Sequence, residues 1–508
     1  MSIIYEKWLD ANGLTHEPHQ KEAVEWCLAR EKAPEHKGGI IADEMGLGKT
    51  IEILGTVYCN SLANTLIVLP YSLLGQWEKI IIKLLGVQPL MYHGSKRLRL
   101  SEADIKQHPI VLTTYGLITQ KRIPTTADVN PLFNIKWSRV IYDEAHHLRN
   151  PGTGVNIGAR QIKTDITWLM TGTPIQNSEK DLYSLYQLLG FTNIKNNIEI
   201  LVRDYMLRRT KEKAGIILPA CKSSIIDVAW KHKKESKLAE HIHAKMKFSN
   251  LTELQPLTEN PLKQEENILK NVEENHLKLL AKAKKMCVLP KLMKKTMRRL
   301  ILDGVIEQTP EKMVDMLRQA SKIESVVKAI LERRMNGKPK LVFCYFHGEI
   351  DELDRLLKGQ GINVKKFDGR TSKKERALIL AETCEVLIGQ IDATNEGLNL
   401  QAYKEIYMVS PHWNPAIEDQ AIARCHRIGQ TEEVEVFHFI MNGFTGYEGI
   451  EKVITVETKT DKTETNETNE IEKDTTTVIK ALTLDQHIRN VQERKRKIIK
   501  KLLLVDTF

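Results

Sequence analysis

The sequence has no CxxC pair. Its seven cysteines, Cys27, Cys59, Cys221, Cys287, Cys344, Cys384 and Cys425, are scattered and odd in number. That spacing argues against a disulfide framework or a zinc finger, and for a reducing compartment. No apolar run approaches the roughly 18 residues needed to cross a bilayer, so no membrane role is expected. Residues 1–10 carry Glu6, Lys7 and Asp10 without a long apolar stretch, and do not read as a signal peptide. Neither sign of charge dominates: 75 Lys and Arg face 65 Asp and Glu, a net +10. Such an excess fits a polyanion partner and many ordinary soluble proteins alike. With 42% hydrophobic and 28% charged residues, a wholly disordered chain is excluded. At roughly 100–200 residues per domain, the 508 residues make two to four folding units.

What is present is a recurring short apolar run rich in Val and Ile, each ended by a Gly, Pro or polar turn. Residues 65–69, 110–112, 139–142 and 167–170 carry it in the first half; 340–343, 385–388, 405–409 and 434–437 carry it in the second. Continuous apolar runs of this length suit strands buried on both faces, with helices in the longer stretches between, so the expected fold class is α/β with parallel sheets in two lobes. The expected divisions are a first lobe over 1–220, a helical inter-lobe protrusion over 221–320, a second lobe over 321–455, a flexible insertion over 456–478 and a basic helix over 479–508. The Lys-, Glu- and Leu-rich composition of 227–319 predicts helix. Residues 275–302 hold nine Lys or Arg and no acid, which suits a solvated helix face or a nucleic-acid contact. Residues 456–478 are a Thr/Glu/Asn/Lys tract too polar to order itself. In the last segment Ile488, Val491, Ile498, Ile499 and Leu502 supply a stripe to pack on a lobe.

Asp43-Glu44-Met45-Gly46-Leu47-Gly48-Lys49-Thr50 follows the apolar 39–42 and precedes Ile51-Glu52-Ile53-Leu54. Strand, glycine-rich turn and helix is the context a phosphate loop needs. Glycines let backbone N–H groups converge on phosphate oxygens, Lys49 can bridge the β- and γ-phosphates, and the Thr50 hydroxyl can ligate Mg²⁺. The strict pattern has Gly where this chain has Asp43. Asp143-Glu144-Ala145-His146 ends the apolar run Val140-Ile141-Tyr142. Asp143 can hold the Mg²⁺ through water, and Glu144 can orient and deprotonate the attacking water. His146 and His147 lack a third ligand at useful spacing and fit a hydrogen-bonding role better. In the second half, Gln420-Ala421-Ile422-Ala423-Arg424-Cys425-His426-Arg427 sets two arginines three residues apart. On a helix both would point the same way and match charge developing on a transferred phosphoryl group.

Together these residues resemble the Swi/Snf-type ATPases of helicase superfamily 2, from about Glu17 to Gln430 and again at the C-terminal helix. Pro18-His19-Gln20 is similar to an adenine-reading Gln motif. The stretches 66–77 (LIVLPYSLLGQW), 111–115 (VLTTY), 171–177 (TGTPIQN) and 206–211 (MLRRTK) are similar to first-lobe motifs; 397–401 (GLNLQ), 413–415 (WNP) and 427–430 (RIGQ) complete the second. The resemblance implies two RecA-like lobes with ATP in the cleft and double-stranded DNA across both. Carried over, Gln20 and the loop from Asp43 to Thr50 hold Mg-ATP together with Asp143. Lys49, Asp143, Glu144, Gln420, Arg424 and Arg427 form the catalytic set. Gln76, Thr113, Thr114, Tyr115, Asn399 and Trp413 are candidate DNA-side or coupling residues, with lobe packing as the alternative.

Where the family usually has Gly-Gly before GLNL this chain has Thr394-Asn395, preceded by Gln390-Ile391 in place of a Ser-Thr type pair. This departure bears on DNA coupling more than on ATP binding. The inter-lobe region holds no Cys/His cluster, so no RING domain and no zinc are expected there. The nearest branch expected is Lodestar or the RING-less part of the DNA-damage-tolerance group. With no stretch for a histone-tail reader, the expected protein is a bare motor that protein partners direct, in a nucleus or at the cytoplasmic replication site of a large DNA virus. The function expected is a DNA-dependent ATPase that translocates on duplex DNA and remodels or displaces bound protein. A strand-separating helicase and an ATP-gated, non-catalytic DNA scaffold are the alternatives.

Overall fold

A computed structural model describes residues 2–120, 130–243, 274–294, 317, 320–394, 398–444 and 482–503. The insertion expected over 456–478, the end of the basic run at 295–302, and Asn395 lie outside the described residues.

The first lobe contains β1 (Gly38–Ile41), β2 (Thr65–Leu69), β3 (Leu90–Met91), β4 (Ile110–Thr114), β5 (Trp137–Asp143), β6 (Thr164–Met170) and β7 (Met206–Leu207). They form one parallel sheet in the order β3-β4-β2-β5-β6-β1-β7. Every residue of β1, β2 and β4 is buried. Successive residues serve opposite faces, as the two-residue period of a strand requires. Ile40, Leu66, Val68, Val111, Val140 and Leu169 fill one face, and Ile41, Ile67, Leu69, Leu112, Ile141 and Trp168 the other. Helices cover both faces, which is why the strands read as unbroken apolar runs.

The second lobe contains β8 (Cys221–Val228), β9 (Lys340–Cys344), β10 (Val364–Phe367), β11 (Val386–Gln390), β12 (Glu405–Met408) and β13 (Val434–Met441). These also run parallel, in the order β10-β11-β9-β12-β13-β8. Val342, Val386, Ile388 and Tyr407 line one core; Leu341, Phe343, Leu387 and Ile406 line the other. The architecture is α/β with two parallel-sheet lobes.

The helical protrusion expected over 221–320 differs from what folds there. Residues 221–228 are an edge strand, paired along their whole length with β13 from Cys221–Val434 to Val228–Met441. The helices Lys233–His243 and Glu274–Val288 send Leu238, Ala239, Ile242, Ala283, Met286 and Cys287 into the second-lobe core. The strand escapes sequence reading because its side chains are mostly exposed and only Val228 is buried, so no apolar pattern marks it. The C-terminal helix Leu484–Leu503 buries Leu484 and Ile488 in the second lobe. Further along, Ile499 packs against the first-lobe core.

One fully buried ion pair ties the first lobe together. Arg139, fully buried on β5, grips Glu31 by two hydrogen bonds of 2.6 Å, and Trp168 Nε1 and Asn60 Nδ2 donate to the same carboxylate at 2.8 and 2.6 Å. Removing one partner strands a charge in a dry interior, which typically costs about 3–5 kcal/mol. Arg139→Met is therefore expected to lower stability by about that much in urea titration, and Glu31→Met in the same chain to restore much of it. A single variant as stable as the parent would contradict the pairing.

Candidate active site between the lobes

The C-terminal ends of β1, β5 and β6, which lie side by side, present the expected nucleotide residues at one edge of the first sheet. After β1 the chain turns through Gly46 (φ 93°) and Gly48 (φ 94°), left-handed conformations that favour glycine. A Cβ at Gly48 would stand 2.3 Å from Gln20 Nε2, so the space is also closed to a side chain. The helix Lys49–Cys59 starts there without a side-chain cap, turning its positive end toward the loop. Gln20 Nε2 donates to the Leu47 carbonyl at 3.1 Å, and His19 Nε2 lies 2.9 Å from the same oxygen. Gln20 thus braces the loop as well as lying beside it.

Lys49 Nζ donates to the carbonyls of Asp43 (2.7 Å) and Glu44 (3.4 Å). Burial lowers its pKa, opposed by the carboxylates of Glu144, Asp43, Glu52 and Asp143. The Asp43 carboxylate itself does not face a nucleotide, contrary to expectation. It is fully buried and held by the Arg209 guanidinium and by the Arg209 backbone N–H at 2.7 Å. Arg209 also reaches Glu52 at 3.2 Å and the His19 carbonyl. An acid where the strict pattern has Gly anchors the loop to the segment leaving β7.

Asp143 ends β5. Trp77 Nε1 donates to its Oδ2 at 2.9 Å, the Tyr115 hydroxyl donates to its backbone carbonyl at 2.6 Å, and the Glu144 N–H donates to its Oδ1 at 3.0 Å. Glu144 follows with φ 53° and ψ 49°, a left-handed conformation that costs a non-glycine residue of order 1–3 kcal/mol. Three neighbours therefore hold a strained turn. Burial first, then the Glu144 charge, pushes the Asp143 carboxyl up to about 7. Burial would also raise Glu144, but His146, Lys49 and Arg424 outweigh it and hold the carboxyl at about 2. His146 Nδ1 lies 3.2 Å from Glu144 Oε2, at ion-pair distance but outside hydrogen-bond geometry, which leaves that buried oxygen without a hydrogen bond. His147 is lowered to about 4, mainly by burial, and its ring lies 4.9 Å from that of Tyr115.

The arginines come from the other lobe. Asn414 caps the helix Pro415–Ile422, accepting from Ala416 N at 3.1 Å, while its Nδ2 donates to Gln176 Oε1 across the cleft at 3.0 Å. Arg424 and Arg427 do not share a helix face as expected, because the helix stops at Ile422. They sit in tight turns beyond it, closed by Cys425 N to Ile422 O (3.0 Å) and Gln430 N to Arg427 O (2.9 Å). That turn still faces the first lobe. The Arg424 charge acts on Glu144, and the Arg427 Cβ lies 3.5 Å from where a Gly46 Cβ would stand. Gln420 Nε2 donates to Thr173 Oγ1 at 3.4 Å, and Lys495 of the C-terminal helix to Asn177 Oδ1 at 3.0 Å. Between these contacts lies a cavity of about 250 Å³ lined by Glu44, Met45, Gly172, Thr173, Asp419 and Ala423.

The donor set suits Mg-ATP. One buried ammonium, a helix N-terminus and two adjacent carboxylates, one of them with an oxygen lacking a hydrogen bond, converge on the same cleft. Hard oxygens from Asp143 and the Thr50 hydroxyl are what Mg²⁺ prefers.

The DNA-side candidates divide. Gln76 and Asn399 are exposed. Trp413 is half-buried against the second-lobe core and its carbonyl accepts from Lys495 at 3.1 Å. Thr113 is fully buried and donates to the Tyr92 carbonyl at 3.2 Å, Thr114 is buried beside it, and Tyr115 is committed to Asp143. Thr113 and Thr114 end β4, which is paired on both sides, and Tyr115 just beyond it is buried against the Asp143 turn, so these three pack inside the lobe. Sequence reading did not single out Trp77, Arg209, Asn414 or Gln176. Each lies inside a stretch it did quote, but no local pattern marks a helix residue, a cap or a loop residue whose partner is far away in sequence.

Trp77→Phe keeps an aromatic ring in the core and removes the indole donor. Losing a hydrogen bond of about 1–1.5 kcal/mol is expected to slow ATP turnover roughly tenfold with nucleotide affinity unchanged. Equal loss of affinity and turnover would show that Trp77 only supports the loop.

An SNF2-related domain matches residues 19–197 and a helicase conserved C-terminal domain matches residues 321–429. The two fall on the two lobes and meet at the cleft just described. The chain carries the domain pair found in SNF2-type proteins. Its two matched domains are those of helicase-like proteins. It is 28% identical over 472 residues to a probable global transactivator of Orgyia pseudotsugata multicapsid polyhedrosis virus, covering 85% of this chain and 87% of that protein. An uncharacterized ATP-dependent helicase of Mycoplasma genitalium is 29% identical over 463 residues, covering 85% of this chain and 40% of its own length. The human DNA excision repair protein ERCC-6-like is 27% identical, covering 84% of this chain and 39% of its own. The chain thus spans most of the viral relative and well under half of the other two. Among solved structures, a Sulfolobus solfataricus SWI2/SNF2 ATPase core in complex with dsDNA matches 84% of this chain and 88% of its own at 23% identity, with a TM-score of 0.38.

Proposed function

We propose that this chain is an ATP-driven translocase on double-stranded DNA that displaces or remodels proteins bound there. The observation that carries it is the division of one nucleotide site over two lobes. Lys49, Asp143 and Glu144 belong to the first lobe, and the Arg424–Arg427 turn is contributed by the second. Lys49 and the loop amides hold the phosphate chain, and ionised Glu144 accepts the proton of the attacking water. Arg424 and Arg427 balance charge on the transferred phosphoryl group. Mg²⁺, held by Asp143 and Thr50, supplies further positive charge to the phosphates when bound. Hydrolysis then requires the lobes to be together and release allows them to part, which moves one lobe relative to the other. Exposed Gln76 on the first lobe and Asn399 on the second are the residues proposed to meet the duplex.

Within the family we place the chain nearest Lodestar, on Trp26–Glu31 and Gly38–Ile40, and in a nucleus or a viral replication site. Protein partners would choose its target. The test is ATP turnover with duplex DNA, single-stranded DNA and RNA, alongside release of a triplex third strand and of a forked duplex. Duplex stimulation with third-strand release is expected. Preference for RNA, or forked-strand release without third-strand release, would defeat the translocase reading.

A further inference from the structure

The segment over 208–220 leaves β7 at the edge of one sheet and enters β8 at the edge of the other. On the way it touches both halves of the nucleotide site. Arg209 fixes its start on Asp43 and Glu52. Two residues on, the Lys211 N–H donates to Glu44 Oε2 at 2.9 Å, and Lys211 Nζ lies 3.4 Å from Glu44 Oε1. The same ammonium donates to the backbone carbonyl of His426 at 3.1 Å. His426 stands between Arg424 and Arg427. Its ring Nε2 lies 2.8 Å from the Pro219 carbonyl, so the connecting segment holds the arginine turn at two points.

The intervening residues double back, with Ala214 N donating to Thr210 O and Ile216 N to Lys211 O, both at 2.9 Å, so the two contacts come from one folded unit. Lys211 Cε and Arg427 Cβ lie 3.8 and 3.5 Å from the point where a Gly46 Cβ would stand. The Lys211 side chain is only 12% exposed. A surface lysine pairing with whatever acid is near would satisfy Glu44 alone. This one joins an acid of the phosphate loop to a carbonyl of the opposite lobe's arginine turn.

We propose that Lys211 is a positioning residue for hydrolysis: held by Glu44, its ammonium seats the His426 carbonyl and so sets Arg424 and Arg427 against the phosphate loop. This rests on the proposed nucleotide site and names what closes it. Lys49, Asp143 and Glu144 do not depend on the Lys211 contact. A Lys211→Met variant is therefore expected to bind a fluorescent ATP analogue within about threefold of the parent while kcat falls about tenfold or more. Lys211→Arg, which keeps the charge and the donors, should recover much of the loss. Energy transfer between dyes placed at exposed Leu98 and Met335, one on each lobe, should report reduced nucleotide-induced closure in Lys211→Met. Melting temperature checks that the variant is folded.

Unchanged kcat and unchanged closure in a folded Lys211→Met would overturn the proposal. Loss of affinity equal to the loss of turnover would overturn it too, by making Lys211 a phosphate ligand. The nucleotide-site reading fails separately, if the parent itself neither binds nor hydrolyses ATP.

Discussion

Glu144→Gln is expected to bind ATP as the parent does and to hydrolyse it about 10²–10⁴-fold more slowly, the usual contribution of a general base. The change keeps the side chain's size and its hydrogen-bonding oxygen but removes the negative charge. In the parent that charge is secured by His146, Lys49 and Arg424 against the burial that opposes it. Its Oε2 is buried, with His146 Nδ1 at 3.2 Å. The left-handed backbone at φ 53° aims the side chain off the end of β5, and a strained residue is retained only where the surroundings over-determine it. Here the Asp143 side chain, the Trp77 indole and the Tyr115 hydroxyl do so. Binding by a fluorescent analogue and turnover in the presence of duplex DNA separate the two effects. A parent no faster than Glu144→Gln under those conditions would favour the ATP-gated scaffold over the motor.

The sheets were legible from sequence because parallel strands covered on both faces must be apolar throughout. Thr65–Leu69 and Ile110–Thr114 have every residue buried, and no other element produces so short and continuous a run. The edge strand Cys221–Val228 was hidden for the converse reason: its pairing runs through backbone groups, and its exposed side chains carry no pattern. Local motifs likewise made the glycine turn after Gly38–Ile41 and the turn after Trp137–Asp143 legible, since each is a strand end followed by a turn. Contacts between distant segments were not legible. Arg209 lies 166 residues from Asp43 and Gln176 lies 238 from Asn414, and only the folded chain brings them together. The arginine spacing also misled in a specific way. A separation of three reads as one helix face, yet the helix ends at Ile422 and both arginines lie in turns beyond it.

That turn sets the second large expectation. Arg424→Ala and Arg427→Ala should each lower turnover by about 10³-fold or more, the range found when an arginine is withdrawn from a phosphoryl-transfer site. ATP binding should survive, because the phosphate loop and Lys49 lie on the other lobe. The two variants should differ in kind. Arg424 bears on Glu144 electrostatically, so its loss weakens the support of the base as well as of the phosphoryl charge. Arg427 backs onto Gly46, so its loss falls on the loop side of the site. Lysine at either position should recover little, since a point charge on a flexible stem cannot reproduce a planar two-pronged donor. Combining Arg424→Ala with Glu144→Gln then provides an internal check. Groups that serve one chemical step are strongly non-additive, so the double variant should be scarcely slower than the worse single one. Additive losses would mean that Arg424 and Glu144 act in separate steps, and turnover within threefold of the parent in both arginine variants would mean that the second lobe does not complete the site.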